Sequence, residues 1–155
     1  MLYRASFYVI YKNIYDIHFG KHKWLDVLYD DKWKNTVLIN VSSNRFVMNV
    51  DYKRIYDIYT DSLVFISNNV SHYEYFKEQT NLNLIHYNPV DFTDMCVAIN
   101  SCKLFIGNLS SPLSIAHALE KERYMCLKGI DDDKNHVFDL HKYVKNIHFV
   151  EELYL

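Results

Sequence analysis

The amino-acid sequence predicts a doubly wound α/β fold, a parallel sheet with helices on both faces. Three observations carry this. Five short apolar runs alternate with segments whose apolar residues recur at helical spacing. The runs are continuous rather than alternating, which is what strands buried on both faces require. The run Leu104-Phe105-Ile106 passes through Gly107-Asn108-Leu109-Ser110 straight into a helix start, the form of a βα corner.

The elements follow in order. Residues 1–34 form an N-terminal arm or helix packing on the domain. Phe7, Ile10, Tyr11 and Ile14 fall on one helical stripe within Leu2–Ile17, while the Tyr, Phe and Val content equally suits an extended arm. Lys21–Lys34 carries Trp24 and Trp33 among charges and reads as a linker that packs its aromatics onto the domain. The single domain spans 35–155. Its first strand is Val37–Val41, ending in the polar turn Ser42-Ser43-Asn44-Arg45. Tyr52, Ile55, Tyr56 and Tyr59 make a helix stripe with Asn49 or Asp51 as cap. Leu63–Ile66 is the second strand, and Ser71-His72-Tyr73-Glu74 has the form of a capping box that opens the next helix. Leu82–His86 is the third strand. Asp91 caps a helix with Phe92, Met95, Ile99 and Cys102 on its inner face. After the fourth strand, Leu104–Ile106, Ser111 is the expected N-cap and Pro112 the first helical residue, with Ile115, Ala116 and Leu119 facing the core. Tyr124–Leu127 is a fifth strand, Gly129 breaks it, and Asp131 begins an acidic loop. Ile147–Val150 is a last edge strand or a helix approach.

Right-handed crossovers assemble these elements into a Rossmann-like three-layer α/β/α sandwich. Its sheet is mostly parallel, five- to six-stranded, in the order 3-2-1-4-5. The first and fourth strands are then neighbours, and a crevice opens between their C-terminal ends. Two polar turns meet there: Ser42-Ser43-Asn44-Arg45, and Gly107-Asn108-Leu109-Ser110-Ser111. Backbone N–H groups, hydroxyls and the positive end of a helix dipole at one point suit an anion, most often a phosphate. Arg45 adds a guanidinium able to grip phosphate with two parallel bonds. Ser42, Ser43, Arg45, Gly107, Asn108, Ser110 and Ser111 are therefore the candidate phosphate-binding residues. Capping needs only one polar side chain, yet Asn108, Ser110 and Ser111 fall within five residues.

The run Phe105–Leu119, preceded by Asp91-Phe92-Thr93-Asp94-Met95, resembles the nucleotide-sugar-binding half of GT-B glycosyltransferases, closest to the heptosyltransferase-like branch. The resemblance covers about 36–127 as topology. It implies that the turns after the first and fourth strands hold the donor diphosphate, which falls on Ser42, Arg45, Asn108, Ser110 and Ser111. It also implies that Tyr87, after the third strand, meets the base or ribose. The implied activity is glycosyl transfer from a nucleotide-sugar substrate, with no cofactor and no divalent metal required. Two features depart from the family. A GT-B enzyme has two Rossmann-like domains and this chain has room for one. Where members often carry Gly after the fourth helix, this chain has Glu120-Lys121-Glu122. The expectation is a nucleotide-sugar-binding half that completes its site with a second domain, a partner chain or a second copy. The alternative is a non-catalytic interaction module that associates with a partner or itself.

Composition narrows the field. The chain has 155 residues, half of them hydrophobic, with 17 basic and 19 acidic side chains and a net charge of −2. A nucleic-acid binder would be basic. Cys96, Cys102 and Cys126 form no CxxC pair and sit in apolar runs, so they read as buried thiols in a reducing, cytoplasmic setting. No apolar run approaches the ~18–20 residues of a membrane span, and residues 1–20 lack the form of a signal peptide. The eight histidines show no metal-ligand spacing, and neither a Walker A sequence nor G-x-G-x-x-G occurs. Ser110 lacks the following glycine of a nucleophile elbow. Asp131-Asp132-Asp133 contains an Asp-x-Asp but reads as a solvated loop.

Overall fold

The computed structural model of the chain describes residues 25–126, 147–150 and 153. Six strands form one sheet: β1 (Val37–Asn40), β2 (Leu63–Ile66), β3 (Ile85–Tyr87), β4 (Leu104–Gly107), β5 (Arg123–Met125) and β6 (Ile147–Phe149). Their spatial order is β3-β2-β1-β4-β5-β6, and every pairing is parallel. Among the described residues four helices connect them: α1 (Tyr52–Tyr59), α2 (Val70–Thr80), α3 (Phe92–Ser101) and α4 (Ser111–Ala118). The expected order 3-2-1-4-5 is present, and Ile147–Phe149 extends it as an edge strand beside β5.

Alternate residues of each strand point to opposite faces, which makes two cores. Leu38, Ile66, Phe105 and Met125 face α3 and α4, where they meet Ile99, Cys102, Leu113 and Ala116. Val37, Ile39, Phe65 and Ile106 face α1 and α2, where they meet Tyr52, Ile55, Tyr73 and Phe76. Leu38, Phe65, Phe105 and Ile106 are fully buried, so the strands are apolar on both faces and read as unbroken runs.

Several boundaries differ from expectation. Asn69, not Ser71, begins α2, and its side chain accepts from the Ser71 N–H. Helix α4 starts one residue early, with Ser110 as N-cap and Pro112 in the second helical position. Pro112 fits there because its missing N–H belongs to the first turn, where no intrahelical partner exists. Phe92 stands 64% exposed at the start of α3 instead of on its inner face. The fifth strand begins at Arg123, whose side chain is completely buried. Asp51 and Asp91 cap α1 and α3 as expected, accepting from Arg54 and Asp94 N–H. Glu120, where a glycine is common in the resembled family, takes a left-handed conformation at φ 53°.

Residues 25–34 are fastened to α3 and α4. The Leu25 N–H donates to Ala118 O, Asn100 Nδ2 donates to the Val27 and Leu28 carbonyls, and the Asp30 N–H donates to Ser101 Oγ at 2.8 Å. Trp33 is buried and meets Tyr87 edge-on at 4.5 Å. The proposed stripe in Leu2–Ile17, Trp24 and the acidic loop at 131–133 lie outside the described residues. Among the described residues no helix is long and apolar enough to cross a membrane. Cys96, Cys102 and Cys126 are all buried, and burial pushes the Cys102 thiol up to about 12.

Candidate functional site: a polar cavity at the β1–β4 crevice

All helices of a parallel sheet begin at the C-terminal edge of its strands, so α2, α3 and α4 open on one side of the molecule. A cavity of about 550 Å³ lies there. Its polar lining includes Asn40, Ser42, Ser67, His72, Ser110 and Ser111. Its apolar lining is Pro89, Val90, Phe92, Met95, Pro112 and Ile115. Asp91 is its acidic residue, and among the described residues no Lys or Arg lines it.

The floor is built by two asparagines. Asn40, at the end of β1 and 3% exposed, donates from Nδ2 to Ile66 O at 2.6 Å and accepts at Oδ1 from Ser110 Oγ at 3.1 Å. It links the end of β2 to the start of α4. Asn108, 1% exposed, accepts the Ser42 N–H at 3.0 Å and donates to the Ser42 and Arg45 carbonyls at 3.0 and 2.7 Å. These bonds satisfy backbone groups that two abutting turns would otherwise leave buried and unpaired. The expected meeting of the two turns is therefore direct contact.

The three helix starts differ in one respect. Asn69 caps α2 and Asp91 caps α3 through side-chain oxygens. Ser110 begins α4 without a side-chain cap. Its hydroxyl is drawn instead to Asn40 Oδ1 and Asn108 O, both at 3.1 Å. Pro112 has no N–H, so Ser111 and Leu113 carry the first-turn donors of α4, and Ser110 caps neither. The positive end of α4 thus opens at the cavity with its serines.

The candidate residues separate into three groups. Ser42, Ser110 and Ser111 line the cavity. Asn108 and Gly107 lie beneath it, one as the clamp, the other where a Cβ would come within 2.7 Å of Phe105 Cε1 and 3.1 Å of Asn40 O. Ser43, Arg45 and Tyr87 do not line it. Ser43 turns to His72, and Arg45 is exposed on a one-turn 3₁₀ helix (Ser43–Arg45). The Tyr87 hydroxyl donates to Asp94 Oδ2 at 2.6 Å. Burial first, then Asp94, pushes the Tyr87 phenol up to about 12, and the Tyr87 hydroxyl and Val90 N–H hold the Asp94 carboxyl low.

His72, Ser67 and Asn40 escaped the sequence reading as site residues. His72 stands in the first turn of α2, and a first-turn residue in this topology lies at the crevice edge. Its Nδ1 receives the Ser43 N–H at 3.3 Å and lies 3.0 Å from Ser43 Oγ. Among the described residues no group of three or more His, Cys, Asp or Glu side chains is arranged to hold a metal ion. Comparison with family models, with curated proteins and with solved structures returns no match for this chain.

Proposed function

We propose that this chain binds the diphosphate of a nucleotide sugar in the cavity between the C-terminal ends of β1 and β4, as one half of a GT-B-like glycosyltransferase site. The observation that carries the reading is the start of α4, whose first turn has no side-chain cap and opens at a cavity walled by Ser42, Ser110 and Ser111. Backbone donors and a helix dipole stabilise phosphate charge without a lining cation. In glycosyl transfer they would act on the charge that develops on the departing diphosphate. Asp91 offers an acceptor for sugar hydroxyls, and the apolar lining suits a base or sugar face. Arg45, exposed beside the crevice, stays a candidate partner for phosphate. Tyr87, committed to Asp94, is a weaker contact for the nucleotide.

A second reading draws on the rim. Val90 is 90% exposed and Phe92 64%, and exposed apolar side chains beside a cavity favour a docked protein surface. The non-catalytic interaction module rests on this feature, and the missing half of a two-domain site would use it too.

A thermal-shift panel of UDP, GDP, ADP and CMP with representative sugars, each with and without Mg²⁺, tests the proposal. Ligand at 100 times its dissociation constant adds about 2.7 kcal/mol of stability, so one nucleotide diphosphate should raise the melting temperature clearly. A flat response across the panel from folded protein would remove the nucleotide reading and leave the interaction module.

A further inference from the structure

The cavity holds a histidine whose ring is fixed by the very turn that carries the phosphate-binding serine. A backbone N–H can only donate, so the bond from Ser43 N–H makes His72 Nδ1 an acceptor. In the neutral ring the proton then sits on Nε2. Among the described residues no group pairs with that nitrogen, and His72 is half-buried in the polar lining with Ser42, Ser110 and Ser111.

We infer that His72 is a ligand-binding residue that donates its Nε2–H to a phosphate oxygen held at the start of α4. This rests on the phosphate reading of the same cavity. The two groups come from different elements, His72 from α2 and Ser110 and Ser111 from the start of α4, and they line one cavity. A diphosphate offers oxygens to both at once, which a single small anion reaches less well. The ligand class that fits is therefore an extended oxyanion such as a diphosphate ester. Ser43 acts on it only through His72: its N–H selects the ring tautomer, and its hydroxyl, 3.0 Å from the same nitrogen, steadies the ring plane.

The test follows the imidazole and backbone ¹H–¹⁵N signals of the full chain during titration with inorganic pyrophosphate and then UDP. The expected result is the Nε2–H tautomer for the neutral His72 ring, and ligand-induced shifts of that nitrogen together with the Ser111 and Leu113 amides. Shifts at Ser111 and Leu113 with His72 unmoved would overturn this inference and leave the phosphate site standing. The Nδ1–H tautomer for the neutral ring would overturn it as well. No shift at either place would overturn the phosphate reading and this inference with it. His72→Phe should weaken pyrophosphate binding about ten-fold or more, the scale of a hydrogen bond to a charged group. His72→Gln, which can still donate, should recover part of the loss. Equal losses in both variants at unchanged melting temperature would count against a donor role.

Discussion

Asn108 holds the Ser42 peptide on both sides: its Oδ1 takes the Ser42 N–H and its Nδ2 reaches the Ser42 carbonyl, each at 3.0 Å. The same Nδ2 reaches the Arg45 carbonyl at 2.7 Å. One buried amide therefore sets the shape of the turn that carries Ser42 into the cavity wall and Ser43 to His72. Asn108→Asp keeps the acceptor and replaces the donor with a charge facing two carbonyls. It should cost about 2–4 kcal/mol, since buried backbone acceptors lose their partner and gain repulsion. Denaturant unfolding measures this, and a loss below about 0.5 kcal/mol would show that the clamp is dispensable.

Gly107 pairs with Asn40 across β1 and β4. Gly107→Ala would place a methyl 2.7 Å from Phe105 Cε1, on a ring that is fully buried. Overpacking of that kind costs about 1–3 kcal/mol. Because Asn40 O is the next contact at 3.1 Å, the cavity floor shifts with it, and the Asn40 and Ser110 amide signals should move.

Arg123 and His117 give the fold an acid limb. Arg123 Nε donates to His117 Nδ1 at 2.6 Å, and its Nη1 donates to Lys121 O. Burial first, then the guanidinium, pushes the His117 ring down to about 3. The unfolded chain binds that proton near 6.5, so the contribution is complete above about 6.5 and is lost as the pH falls toward about 3. Asp94, held low by Tyr87, loses its own contribution in the same direction below its unfolded value of 3.8. Melting temperature should fall steadily from pH 7 to pH 4. Among the described residues Arg123 Nη2 has no hydrogen-bond partner, so Arg123→Met should change stability at pH 8 by no more than about 1–2 kcal/mol. It should also make the acid limb shallower, because burial alone then depresses His117. An unaltered pH profile in that variant would contradict the pairing.

Tyr87→Phe removes the 2.6 Å bond to Asp94. The loss should be about 0.5–1.5 kcal/mol, and the Asp94 carboxyl should titrate higher. Val90 N–H keeps its bond to Asp94 at 2.9 Å, so the cavity rim should hold its shape and ligand affinity should change little.

The sheet was legible because burial on both faces writes itself as unbroken apolar runs. Val37–Val41 and Leu104–Ile106 declared themselves as neighbours through strand order alone. Side-chain roles at the crevice were less legible. Asn108 is the same residue type whether it meets a ligand or a backbone. Its role is decided by how closely the two turns approach, which is a tertiary fact. Arg123 lies outside the expected strand Tyr124–Leu127, since a charge marks exposure in most contexts, yet it opens β5 with its side chain buried. Phe92 looked inward by helical spacing, yet at the first position of α3 it lies beyond the part of the helix that the sheet covers. His72 carried no ligand-binding motif, only a place within the expected capping box, and the helix-start geometry brings it to the cavity.

The most direct test of the central claim uses Ser111→Pro. Proline suits the first helical position, and Ser110 before it is already extended at φ −153° and ψ 169°. The substitution therefore removes the Ser111 N–H and hydroxyl from the cavity while leaving the helix intact. Titration calorimetry should show a nucleoside diphosphate binding the wild-type chain, and Ser111→Pro binding it about five-fold or more weakly at an unchanged melting temperature. Equal affinity in the two proteins, or no binding by the folded wild type, would contradict a phosphate site at the start of α4.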